Sequence, residues 1–278
     1  MTLGPEMPET RPVSDSSSQT PPETGEPTWS LAAAFLFMLL WIALMFVIQM
    51  SSIFIAAAIS RPELMGAEEF GPFFEQFINH IAGNPWAAFG VAASVLLTWM
   101  ITFKLLELFF RGAPRPALGR ALGLSGPKPR WAMVAAVPVG ILAFLVGATI
   151  SQALQVDDSL GPYDKLVETI PGFVGTAILA LLIAPPAEEA FFRGFLFPPM
   201  RRYLSAPTAI LVNGAVFALA HLLASADISI LLPVLLIGAL AAALRNWSGS
   251  IWPGAMAHLV FNGMSLFIFL LNKGPSGA

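Results

Sequence analysis

The sequence contains no cysteine. Disulfides, thiolate zinc sites, cysteine nucleophiles and S-acylation are excluded together. Charge is scarce as well. Only 11% of the 278 residues are charged, where a soluble domain carries about 25%. So little polar surface cannot face water on all sides. The net charge of −3 excludes a strongly basic chain, and no nucleic-acid partner is expected. Histidine occurs three times, at His80, His221 and His258. What the sequence does have is hydrophobic residues, 56% of the total. A crossing helix needs about 20 of them in a row. The chain therefore reads as all-α, a polytopic membrane helical bundle of about seven transmembrane helices, in contact with membrane lipid.

The runs predict spans near residues 30–59, 85–110, 131–154, 171–197, 207–224, 228–244 and 251–271. Trp29, Trp86, Trp131 and Trp252 stand at span starts, where indole rings favour the membrane interface. Residues 1–28 are rich in Pro, Glu, Ser and Thr and have no apolar periodicity, so a disordered tail is expected there. The tail lacks the basic start of a secretory signal. The chain divides into this tail, N-terminal transmembrane helices and loops at 29–165, and a transmembrane core at 166–272.

Charge sets the expected orientation. The 111–130 loop carries Arg111, Arg115, Arg120, Lys128 and Arg130 without an acid, and Arg201, Arg202 and Arg245 follow later spans. The intervening loops are acidic: Glu63, Glu68, Glu69 and Glu75, then Asp157, Asp158, Asp164 and Glu168, then Asp227. The positive-inside rule puts the basic loops and the N-terminus in the cytoplasm, in a plasma-membrane protein. Lys104 and Glu107, three residues apart near a span end, can pair on one helix face. His80 falls in an outer loop and is given no role.

One stretch of the fourth span carries chemistry: Ala184-Pro185-Pro186-Ala187-Glu188-Glu189-Ala190-Phe191-Phe192-Arg193-Gly194. A charge at the centre of a span costs roughly 2.5–3.5 kcal/mol on insertion scales, so such residues are kept where they pair or work. Glu189 and Arg193 have the i, i+4 spacing of an ion pair, with the acid first. Glu188 projects about 100° away around the helix and finds no partner on it. An unpaired carboxylate in apolar surroundings is suited to take up and release a proton, although a charge on another helix would also satisfy it. Pro185 and Pro186 lack N–H groups, so an α-helix would leave the carbonyls of Leu181 and Leu182 unpaired. That predicts a kink and a hydrated pocket beside Glu188. His221 ends Phe217-Ala218-Leu219-Ala220-His221, and His258 opens His258-Leu259-Val260-Phe261-Asn262. His258 and Asn262 share a helix face. A lone histidine in a span can simply bond a backbone carbonyl. Two histidines, an Asn and a Glu on three helices point to convergence. By residue counting His221 falls nearer the outside than Glu188.

Taken in order, Glu188-Glu189-x-x-x-Arg193, Phe217-x-x-x-His221 and His258-x-x-x-Asn262 resemble the three motifs of the CPBP family. These are the CAAX prenyl endoproteases and the bacteriocin-processing, Abi-type membrane proteins. The resemblance runs over roughly residues 170–265. It implies an intramembrane endopeptidase acting on a membrane-associated protein or peptide, CAAX-type and prenylated in the eukaryotic case. Carried over, Glu188 and His221 would activate a water, and His258 and Asn262 would stabilise the oxyanion. Glu189 and Arg193 would support the site. The resemblance leaves metal open. No cofactor is certain, and Zn2+ would draw on Glu188, with or without Glu189, and on His221 and His258. Asn262 is a poor zinc ligand and a good oxyanion donor, which favours a glutamate-activated water. The same motifs occur in non-catalytic immunity or scaffold proteins. A proton-coupled transporter is a third reading, weakened because no repeated halves are visible. The oligomeric state is not written in these residues.

Overall fold

A computed structural model describes residues 28–60, 84, 86–111, 113–154, 167–225, 228–272 and 274–275. The expected tail (Thr28 apart), His80, the acidic residues at 63–75 and 157–164, and Asp227 lie outside the described residues.

Among the described residues every regular element is helical. Numbered along the chain, they are α1 Leu31–Ser60, α2 Ala87–Phe109, α3 Arg115–Ala121, α4 Ala132–Ala153, α5 Ile170–Tyr203, α6 Ala206–Ser225, α7 Leu231–Ser248 and α8 Trp252–Asn272. A short 3-10 turn, Ile228–Ile230, precedes α7. All but α3 are long and apolar enough to cross a membrane. The seven spans match the expected ones to within a few residues, except that α5 continues to Tyr203.

Packing follows from side-chain size and polarity. The sequence of α1 has no charged residue, and Leu36, Leu39, Phe46 and Val47 on it are exposed. In water this would be costly; facing lipid it is not. One face of α2 carries Ser94, Thr98 and Thr102 at i, i+4, i+8 spacing, and all three are buried. Each hydroxyl is satisfied on its own helix. Thr98 donates to the Ser94 carbonyl at 2.9 Å and Thr102 to the Thr98 carbonyl at 2.8 Å. Ser94 also donates to Gln49 Oε1 on α1 at 3.0 Å. Helix α4 packs on α7 and α8, α6 on α7, and α1 on α2.

Aromatic rings fill the space between α1, α2 and α5. Trp41 stacks on Trp99 with centroids 5.2 Å apart and meets Phe191 at 5.0 Å. Trp29 turns inward. It is buried, stacks on Phe195 at 5.4 Å and donates its Nε1–H to the Phe195 carbonyl at 2.9 Å. Trp86, Trp131 and Trp252 are exposed, as an interfacial position requires, but Trp29 is not. A free backbone carbonyl on α5 draws its indole N–H instead.

Lys104 and Glu107 form the expected pair at 2.7 Å, and Arg115 joins Glu107 at 3.2 Å. The segment between α3 and α4 is pinned to the α7–α8 turn. Ile251 N–H donates to the Gly123 carbonyl, Trp252 Nε1–H to that of Leu124, and Ser250 Oγ to that of Ser125. Lys128 N–H donates back to the Ser248 carbonyl at 3.0 Å. Gly249 ends α7 at φ +68°, a left-handed value that glycine adopts without strain.

Candidate active site

The helix that carries the acidic motif is not uniformly wound. Ile178–Ile183 and Ala190–Leu196 are π-wound, with i to i+5 bonding, and the α-helical piece Ala184–Glu189 lies between them. Wide turns of this kind occur mainly as short interruptions, often at functional sites. Pro185 and Pro186 occupy the first turn of the α piece, directly after the first π segment.

The π winding changes which carbonyl the prolines orphan. Ala184 N–H bonds the Leu179 carbonyl, five residues back. In that register Pro185 would have bonded Ala180, not Leu181, and it has no N–H to do so. Asn262 of α8 fills the gap: its Nδ2–H donates to the Ala180 carbonyl at 2.8 Å. The expectation of a carbonyl released by proline holds, displaced by one residue from Leu181. Asn262→Ala is expected to lower the midpoint of thermal unfolding in detergent, because a buried acceptor left unpaired costs about 1–3 kcal/mol. An unchanged midpoint would mean that water serves Ala180 equally well.

Glu189 and Arg193 form the expected ion pair. Arg193 NH1 lies 2.9 Å from Glu189 Oε1, and both side chains are completely shielded. The contact is close but poorly aligned for a hydrogen bond. Arg193 has two further supports. Its NH2 donates to the Gly238 carbonyl on α7 at 2.6 Å, and its guanidinium carbon lies 4.3 Å from the centre of the Phe217 ring on α6. One buried cation thus ties α5 to α6 and α7.

Glu188 faces the two histidines. Its Oε2 lies 3.7 Å from His221 Nε2 and 3.9 Å from His258 Nε2. These separations are too long for direct hydrogen bonds, and Oε2 is buried without a hydrogen-bond partner among the described residues. His258 Nδ1 lies 3.7 Å from Glu189 Oε1. Both nitrogens of His258 therefore face carboxylate oxygens, at separations beyond a direct hydrogen bond. His221 is fixed differently. Its Nδ1 is 3.0 Å from the Phe217 carbonyl. A carbonyl can only accept, so Nδ1 carries a proton, and Nε2 is the nitrogen turned toward Glu188. The depth mismatch expected for His221 is gone: α5, α6 and α8 bring all three side chains together.

Several contributors escaped the sequence reading. A Cβ on Gly254 of α8 would lie 2.6 Å from Glu189 Oε2, and one on Gly238 would lie 3.0 Å from Phe217. Both glycines let backbone close on the ion pair. Glycines in a span are the available signal, since small residues mark tight helix crossings. Asn213, fully buried on α6, donates to the Phe192 carbonyl at 2.9 Å inside the second π segment. A single Asn in an apolar span was the clue. Arg245 looked like a loop charge. It sits in the last turn of α7, and its guanidinium donates to the Arg193 carbonyl at 3.3 Å and the Ala121 carbonyl at 3.2 Å.

Among the described residues, no three His, Asp or Glu side chains are arranged to hold an ion. Glu188, His221 and His258 are near one another but do not form a coordination set as they stand.

Residues 170–264 match the family model described as Rce1-like, type II CAAX prenyl endopeptidase Rce1-like. The match covers about a third of the chain and spans all three motifs. It supports the resemblance to the CPBP family, and the seven apolar helices support an integral membrane protein. No curated protein and no solved structure matches the chain.

Proposed function

We propose that this chain, Rce1-like over residues 170–264, is an intramembrane endopeptidase that hydrolyses a peptide bond of a membrane-associated protein, in the first instance a prenylated CAAX-type one. The observation that carries this reading is the position of Glu188 Oε2, with Nε2 of His221 at 3.7 Å and Nε2 of His258 at 3.9 Å, and no hydrogen-bond partner among the described residues. A buried carboxylate oxygen needs a donor, and a water between these groups supplies one.

The chemistry follows from the donors. Water donates one proton to Glu188 and its other hydrogen bond to the lone pair of His221 Nε2. Its oxygen attacks the scissile carbonyl carbon. The C–O bond forms as the carbonyl electrons move onto oxygen, where His258 and the second Nδ2–H of Asn262, the one not bonded to Ala180, stabilise the charge. Collapse of the tetrahedral intermediate breaks the C–N bond, and Glu188 returns the proton to the leaving amine. Glu189 and Arg193 hold the helix that presents Glu188. The basic loops and the N-terminus lie on the cytoplasmic side, and the plasma membrane is the setting.

The test is cleavage by purified protein in detergent, using a farnesylated CAAX peptide, its unprenylated form and a pool of membrane peptides, with bound zinc quantified. The farnesylated peptide is expected to be cut without stoichiometric zinc. Cleavage that tracks stoichiometric zinc would replace the glutamate mechanism with a metal one. Cleavage of no peptide would favour the immunity or scaffold reading.

A further inference from the structure

We infer that the groove between the last turn of α2 and the short helix α3 binds the headgroup of an anionic phospholipid. The groove encloses about 440 Å³ and is lined by Lys104, Glu107, Leu108, Arg111, Arg115 and Leu118, among others. It stands at the end of a membrane-crossing helix, so it opens where headgroups lie.

Its charge is one-sided. Three cations face one carboxylate. Glu107 is shared between Lys104 at 2.7 Å and Arg115 at 3.2 Å, which aligns both cations on the same wall. Arg111 makes no ion pair among the described residues. A phosphate oxygen has what this wall lacks, acceptor capacity for several N–H groups at once. The remaining lining is apolar. Leu108, half-exposed on α2, and Leu118 offer contact to the first methylenes of an acyl chain. A soluble anion would use the cations and leave that surface wet; a phospholipid uses both. Arg120 on α3 and Lys128 and Arg130 in the loop that follows add positive charge without an acid, which raises the local concentration of anionic lipid.

The inference does not depend on the proposed activity. It is tested by placing the protein in nanodiscs of equal phosphatidylcholine and phosphatidylglycerol and counting retained lipids by native mass spectrometry. Wild type is expected to retain phosphatidylglycerol preferentially. Arg111→Glu is expected to reduce that preference about fivefold or more, and Arg111→Gln to reduce it less. Arg130→Gln, a change in the same loop but outside the groove, is expected to retain it. Equal preference in wild type and both Arg111 variants would overturn the site. Equal loss in Arg130→Gln would reduce it to general surface attraction. Displacement of the lipid by inorganic phosphate would make it an anion site. Displacement by a peptide with a free C-terminal carboxylate, but not by its amide, would assign the groove to a substrate.

Discussion

Glu188→Gln is expected to lower peptide cleavage by about 10²- to 10⁴-fold, the usual contribution of a positioned acid–base group, while folded yield and thermal midpoint stay at the wild-type value. The two readouts separate because of what surrounds the side chain. Glu188 Oε2 has no hydrogen bond to lose among the described residues, and the two histidine nitrogens it faces are 3.7 and 3.9 Å away. An amide has nearly the same shape, so packing is kept. The amide nitrogen cannot take a proton from water, so chemistry is not kept. Full activity in Glu188→Gln would remove this residue from the mechanism. Lost activity together with lost fold would mean that Glu188 pairs with a histidine for stability, the alternative that the sequence left open.

Arg193→Ala is expected to have the reverse profile, with loss of folded protein first. Breaking a buried pair by removing one partner costs about 3–5 kcal/mol, because the remaining charge stays buried. Here Glu189 would be stranded against the backbone at Gly254, the Gly238 carbonyl would lose its 2.6 Å donor, and Phe217 would lose the cation over its ring. Removing both ends of the pair, as Glu189→Leu with Arg193→Met, should recover part of the yield, since an apolar pair of similar volume carries no such penalty. Yield and midpoint unchanged in Arg193→Ala would show that the ion pair is not what holds α5 to α6 and α7.

The spans were legible because membrane crossing is a one-dimensional property: an uninterrupted apolar run declares itself. Local pairs were legible for a similar reason. Lys104 with Glu107 and Glu189 with Arg193 depend only on helical periodicity. Convergence of Glu188, His221 and His258 could be expected from the rarity of polar residues in spans, although not their depth. What stayed hidden depends on winding and on neighbours. Periodicity assumes 3.6 residues per turn, so the π segments were invisible, and with them the shift of the orphaned carbonyl to Ala180. The partner of that carbonyl, Asn262, sits 82 positions away in sequence. The sequence reading of Asn262 weighed only a ligand or an oxyanion donor. Arg245 was misplaced because a cation near a span end usually reaches for water; here two carbonyls of other segments are closer.

The segment from Gly123 to Arg130 has the look of a linker that proteases open first: Gly, Ser, Pro, Lys and Arg, between two helices, at a surface. Its carbonyls at Gly123, Leu124 and Ser125 and its amide at Lys128 are already engaged by the α7–α8 turn. A protease must draw such a segment out straight before cutting it. Doing so here would strip the bonds that seat Ser250 and Trp252 and would loosen the start of the helix that carries His258. The segment is therefore expected to resist digestion as well as the helix start it holds does, and a nick within it to disturb the candidate active site.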